Sequence, residues 1–334
     1  NSYVPHVQLL NISGTSISNS GASVALSGSS SQHVCTAKLS DSKVALVYNK
    51  GSGKPVARVA TIGATAITTH VESAEGPTTS NMSDPDVVAL NENLIVVAGR
   101  DNASGDIGKM FAGSISGNQI TWGAIHTPNG NNHTRMTLCR LTDTTGLVTY
   151  DNQADSGRQY VKFFSVSGNN VTTSASAIQI SDNNGSWHQG QIIGLTETKA
   201  IMVYRDGSSD GNGRAVIVNC NGGIIDPTLD PSDAITFGQF NGSPATISQI
   251  VAEKLNSTAV VVFYKEHHAG DRGRMMVLEI SGNTITTNSP HYPFTGGVLG
   301  GGYTTDVTAL DPTNAMIAYR NPSNNQGIAK LFYS

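Results

Sequence analysis

The chain has 334 residues, of which 13% are charged and 38% hydrophobic, and a formal net charge of −4. That balance excludes the basic footprint of a nucleic-acid binder or an anionic-lipid binder, and no apolar run approaches the ~18 residues needed to span a bilayer. Gly, Ser, Thr and Asn take the place of the missing charge, which implies a polar, nearly neutral surface around a buried core.

Taken in chain order, residues 1–10 carry no motif and are expected either to add a strand or to form an N-terminal arm. The next eight, "NISGTSIS" (Asn11 to Ser18), match "EISGNTIT" (Glu279 to Thr286) near the other end. A segment then appears that recurs five more times. It reads "LSDSKVALVYNK" from Leu39, "LNENLIVVAGRD" from Leu90 and "LTDTTGLVTYDN" from Leu141. It returns as "LTETKAIMVYRD" from Leu195, "LNSTAVVVFYKE" from Leu255 and "LDPTNAMIAYRN" from Leu310. The six leucines are 51, 51, 54, 60 and 55 residues apart. A period near 50 marks stacked supersecondary units.

Each unit parses into four strands. The first ends at the leucine, as in "QHVCTAKL". A tight turn leads to a β-branched second strand, such as "AIMVY". A variable Gly/Asp-rich loop leads to the third, and Ser-Gly-Asn or a relative turns into a short fourth strand. Six units of four antiparallel strands predict an all-β, six-bladed β-propeller forming one domain over residues 1–334. The last unit stops after its third strand, "GIAKLFYS". Residues 11–18 are therefore expected to be the closing strand that completes it and removes an open edge.

The blade pattern "SGxxI…L….[AV]xVxYRD" resembles that of six-bladed propellers that include extracellular lectin-like and adhesion-type proteins. The resemblance implies fold more than function, because propellers also host hydrolases, lyases and scaffolds.

Strand order places the strand 1–2 and 3–4 turns on one face and the variable connections on the other. The variable face includes "RDGSSDGNGR", "KEHHAGDRGR", "HTPNGNNHT" and "SPHYPFTGGVLGGGYTT". Function is expected there, since a rigid scaffold presents its loops. The loop-side ends of the innermost strands offer His33, Asp84, His133, Arg135, Trp187, His188 and Tyr303. Aromatic rings stack on sugar C–H surfaces, while Arg, Asp and His bond hydroxyls. The end of the second strand offers Arg100, Arg205 and Arg320. The tyrosine before that position, in five of six blades, is read as core packing. The Arg or Lys after it is read as an ion pair with the acid on the next residue or loop; otherwise it faces ligand in grooves between blades, which would give multivalency.

No GxSxG, HExxH or phosphate loop occurs. "SDNNGSW" (Ser181 to Trp187) approximates a sialidase-type Asp box with its glycine one place late. Asp84 with Asp86, and Asp151 with Asp155, are the carboxylate pairs to weigh for glycoside cleavage. "DGSSDGNG" (Asp206 to Gly213) spaces oxygens in the manner of a calcium loop but lacks a terminal Glu, so a plain hairpin is preferred. His267-His268 is read as a surface pair. The motifs point to no cofactor and no metal beyond that calcium alternative. Cys35, Cys139 and Cys220 form no CxxC pair and are read as buried free thiols, with one disulfide as the alternative.

The expected role is non-catalytic recognition of glycans or glycosylated surfaces. The alternatives are an assembly module for protein partners or a homo-oligomer, and a carbohydrate-active hydrolase or lyase. A Thr/Ser/Asn/Gly-rich, Lys-poor chain beginning at Asn1 suggests a secreted, extracellular or particle-surface protein.

Overall fold

The computed structural model describes residues 4–27, 32–51, 53–78, 81–133, 135–181, 190–207, 211–240, 243–244, 246–267, 272–287, 292–298, 305–320 and 326–333. The fold is an all-β, six-bladed β-propeller. Each anchoring leucine closes or directly follows the innermost strand of a blade, as expected. The chain clusters into two compact units, one holding the first three blades and the other the last three.

In the first unit, blade 1 is Gln32–Ser40, Lys43–Asn49, Pro55–Ile62 and Ile67–Thr69. Blade 2 is Met82–Asn91, Leu94–Asp101, Ile107–Ser116 and Gln119–Trp122. Blade 3 is Met136–Arg140, Thr145–Asn152, Arg158–Ser167 and Asn170–Thr173. All neighbours pair antiparallel. In the second unit, blade 4 is Gly190–Thr196, Lys199–Arg205, Gly213–Asn221 and Ile224–Ile225. Blade 5 is Ile247–Asn256, Ala259–Glu266, Arg272–Ser281 and Thr284–Thr286. Blade 6 is Thr305–Asp311, Asn314–Arg320 and Gly327–Tyr333. The chain beyond the short fourth strand returns to strand three in several blades. Ile235–Phe237 pairs there in blade 4 and Tyr292–Val298 in blade 5. The outer strand is thus longer and more broken than its sequence suggests.

The second strands are buried on both sides, which is why they read as unbroken β-branched runs rather than alternating patterns. The innermost strands alternate between neighbouring blades. Ala37 and Leu39 of blade 1 meet Val87 of blade 2, and Ile193 and Leu195 of blade 4 meet Ile250 and Ala252 of blade 5. Leu255 of blade 5 meets Val307 of blade 6. Five anchoring leucines are buried, whereas Leu310 is 41% exposed.

The N-terminal segment departs from expectation. Residues His6–Ser13 and Ser16–Ala25 form a hairpin of their own, and among the described residues the hydrogen-bonded sheet of blade 6 has three strands. Residues 11–18, expected as one closing strand, run from the end of the first hairpin strand across Gly14 into the second. The reason lies in the match itself. "EISGNTIT" is strand, turn and strand, and Gly14 takes the same left-handed conformation (φ 55) as Gly282 (φ 61). Val7 of the hairpin and Leu26 just after it pack with Leu46, Tyr48 and Val56 of blade 1. Residues 6–10 are therefore strand rather than a loose arm.

Candidate functional site

The innermost strands of three blades share one irregularity. Pairing with the second strand slips between Gln32 and Cys35, between Ser83 and Asp86, and between Ser248 and Val251. Each slip is a β-bulge, and in each the residue six before the anchoring leucine is left-handed: His33 (φ 54), Asp84 (φ 47) and Gln249 (φ 53). A bulge re-aims a side chain, and a non-glycine residue held at positive φ stores strain. The same offset gives Arg135 in blade 3, where the Asp151 carboxylate instead accepts the Arg135 N–H at 3.0 Å.

In the first unit these positions converge on Asp84. Its carboxylate lies 3.8 Å from Nδ1 of His33 and 3.6 Å from Nη2 of Arg100. Arg100 reaches on to Asp106, with Nε 3.6 Å from Oδ1. Asp106 is itself left-handed (φ 63) after Gly105 (φ 75), at the end of the turn that Asp101 caps. These separations are ion-pair distances and longer than hydrogen bonds, and Nε of Arg100 is buried without a hydrogen-bond partner. His33 and Asp84 keep about a third of their side chains exposed. The cluster is polar, accessible and incompletely satisfied, so it can give hydrogen bonds to a ligand.

Asp86, two residues on, is not part of it. Its Oδ1 accepts the Val87 N–H at 2.9 Å and its Oδ2 accepts the Leu138 N–H of blade 3 at 2.8 Å. Gln191 does the same between blades 4 and 5, its Oε1 accepting the Ala252 N–H at 2.9 Å. Both are inter-blade staples, which removes the Asp84–Asp86 pair as a two-carboxylate catalytic set.

His133 is wholly buried. Its ring sits edge-on to Tyr150 at 4.7 Å, and Nδ1 lies 2.6 Å from the Asp151 carbonyl. Burial holds its pKa below the ordinary imidazole range, and its buried Nε2 has no hydrogen-bond partner among the described residues. It braces the blade 3 loop rather than facing solvent. Arg320 ends the second strand of blade 6 with its side chain exposed, and Arg205 ends that of blade 4 half-buried. Trp187, His188, Tyr303, His268, most of the Asp-box-like segment and the middle of the 206–213 loop lie outside the described residues.

The repeated tyrosines are core: Tyr48, Tyr150, Tyr204, Tyr264 and Tyr319 are all buried. The ion pairing expected beside them is seen in blade 2, where Arg100 lies 3.6 Å from Asp106 on the following loop. In blades 4 and 5 the following acids, Asp206 and Glu266, turn to strand three. They accept Nε of Arg214 (3.1 Å) and Arg274 (2.7 Å), which lie across on strand three of the same blade. The partner arginines stand 19 residues after the anchoring leucine, and Arg58 occupies that place in blade 1. There it bonds Tyr48 Oη, which also donates to Glu72. Burial and the Glu72 carboxylate push the Tyr48 phenol up to about 12. The "GR" opening strand three in blades 4 and 5 was the sequence signal for this pairing.

Among the described residues no group of three or more His, Cys, Asp or Glu side chains is placed to hold a metal. The three cysteines are free thiols, with Cys35 only partly buried.

No family model and no curated protein matches the sequence. Solved structures do. A triple arginine-to-alanine mutant of AofleA from Arthrobotrys oligospora aligns over 90% of this chain and 82% of its own, with TM-score 0.55 and 9% identity. The α-L-arabinanase of Penicillium chrysogenum, complexed with arabinobiose, aligns over 91% and 93%, with TM-score 0.53 and 10% identity. The NanB sialidase of Streptococcus pneumoniae aligns over 90% and 67%, with TM-score 0.55 and 10% identity. At such identities the likeness concerns fold alone, and the fold is the six-bladed β-propeller.

Proposed function

We propose that the protein recognises carbohydrate through the face carrying its variable loops. The supporting observation is the cluster of His33, Asp84, Arg100 and Asp106, in which three of the four residues are non-glycines in the left-handed region. Strain that a turn could have relieved with glycine is kept where polar side chains converge. Partly exposed acid, imidazole and guanidinium groups fit the hydroxyls of a sugar. Arg135, Arg205 and Arg320, with Trp187, His188 and Tyr303, are proposed to extend this recognition to other blades. A secreted or particle-surface location agrees with that role.

The test is a glycan array probed with the wild-type chain and Asp84→Ala, with calcium and with chelator. A related set of glycans bound by the wild type, and weakened at least tenfold by Asp84→Ala, supports the reading. Calcium dependence would return attention to the Asp206 loop. Binding that ignores Asp84→Ala, or no binding at all, overturns it.

A second reading is glycoside hydrolysis. The arabinanase and the sialidase act on sugars, and blade 5 carries an acid of raised pKa, Glu253. Burial pushes it up, helped by the Asp306 carboxylate of blade 6. Turnover of arabinan or sialyl substrates that is lost in Glu253→Gln but kept in Asp84→Ala would favour it.

A further inference from the structure

Blades 2 and 4 carry an arginine at the same repeat position and surround it differently. Arg100 lies 3.6 Å from each of two carboxylates, Asp84 and Asp106. Arg205 has no hydrogen-bond or ion-pair partner among the described residues, and its Nε is buried without an acceptor. The acid that follows it is engaged elsewhere: Asp206 Oδ2 accepts Arg214 Nε at 3.1 Å. Burial pulls its pKa below the ordinary guanidinium value. A desolvated cation without a counter-ion is unfavourable, and proteins ordinarily pair it.

The Gly211 backbone packs against the guanidinium. Gly211 is left-handed (φ 60), and a Cβ there would stand 3.1 Å from Nη2 and 3.2 Å from Nε of Arg205. Only glycine keeps that approach clear. Asn212 is 6% exposed, and its Oδ1 has no partner.

We infer that the Arg205 end of blade 4 is an anion-reading subsite, which takes a carboxylate or sulfate substituent of a glycan on the guanidinium. This rests on the carbohydrate reading above. Two oxygens of a carboxylate or of a sulfate engage a guanidinium through two parallel hydrogen bonds, and a site shielded from water strengthens them. Blade 2 is suited to the opposite kind of ligand. Its arginine is already outnumbered by two carboxylates, so an anionic substituent would be repelled there and a neutral sugar accepted.

The test measures binding by calorimetry with four defined oligosaccharides: an oligogalacturonate, its methyl ester, a sulfated oligogalactan and its desulfated form. Wild type, Arg205→Ala, Arg205→Lys and Arg100→Ala are compared, each checked for an unchanged circular dichroism spectrum and melting temperature. The expected result is that one or both anionic ligands bind at least tenfold tighter than their neutral forms. The carboxylate and sulfate pairs distinguish the two sources of charge. Arg205→Ala should abolish that preference, and Arg205→Lys should retain only part of it. Binding of neutral and anionic forms with equal affinity, or a preference that survives Arg205→Ala, overturns the subsite while leaving the carbohydrate reading standing. No binding to any of the four, together with a blank array, overturns both.

Discussion

Asp84 sits where three demands meet. It is left-handed, it answers His33 on one side and Arg100 on the other, and it still reaches solvent. Neutralising it in Asp84→Asn should weaken ligand binding by about tenfold or more, the scale of one charge-assisted hydrogen bond, with little change in melting temperature. Parallel calorimetry and thermal unfolding would check both halves. Glu253 poses a different residue-level question. It occupies a place, two before the leucine, that holds Ala37, Val88, Cys139 and Ile193 in other blades. There burial raises its pKa, although its N-terminal neighbour Ala252 is buried and Glu253 itself keeps some exposure. A folded-state pKa above the unfolded one means that the neutral acid stabilises the fold. That contribution is full below the unfolded value and fades as pH rises through the folded one. Glu253→Gln should therefore raise the melting temperature at pH 7 and do little at pH 4. A melting series from pH 3 to 8 would decide it, and an equal shift across the whole range would contradict it.

Among the elements, the bulge on the innermost strand carries the argument. If His33 is held left-handed for the sake of its side chain, His33→Gly should cost no stability, or add about 0.5–1 kcal/mol, while weakening binding. His33→Val should destabilise by about 1–3 kcal/mol, because a β-branched residue tolerates positive φ badly. Denaturant titrations of the two variants would separate strain from contact. The anchoring leucines supply a second comparison. Leu90→Ala, at a fully buried site, should cost about 2–5 kcal/mol. Leu310→Ala, at the exposed equivalent in blade 6, should stay within about 0.5 kcal/mol. Sequence placed both leucines in the same register. Their different burial follows from what packs on each blade, which a repeat pattern does not record.

For the whole molecule, the six ends of the second strands are chemically unequal. They read Asn49, Arg100, Asp151, Arg205, Lys265 and Arg320. Asn49 is held by the Met82 carbonyl and Asn81, and Asp151 by the Arg135 N–H. At least two of the six are thus occupied with structure. Ligand titration should saturate below six per chain, with non-identical affinities. A stoichiometry of six equal sites, read by calorimetry or native mass spectrometry, would contradict that and restore the picture of equivalent inter-blade grooves.

Repetition of a leucine, a tight turn and a β-branched run at a period near 50 was enough to determine blades, strand order and the buried tyrosines. Those features depend on local pattern and turn chemistry, which the chain writes six times. The N-terminal hairpin was misread because its motif encodes a strand, a turn and a strand, and sequence similarity does not say which partner each strand finds. The candidate site was only half legible. His33, Asp84 and Arg100 could be named from their place at strand ends. That Asp86 is consumed by a backbone N–H in the next blade, that His133 is buried, and that Arg205 is left unpaired while Asp206 turns to Arg214 are outcomes of packing between strands distant in sequence. Hydrogen-bond partners and desolvation are properties of neighbours in space, so only the tertiary structure could decide which polar residues remain free to meet a ligand.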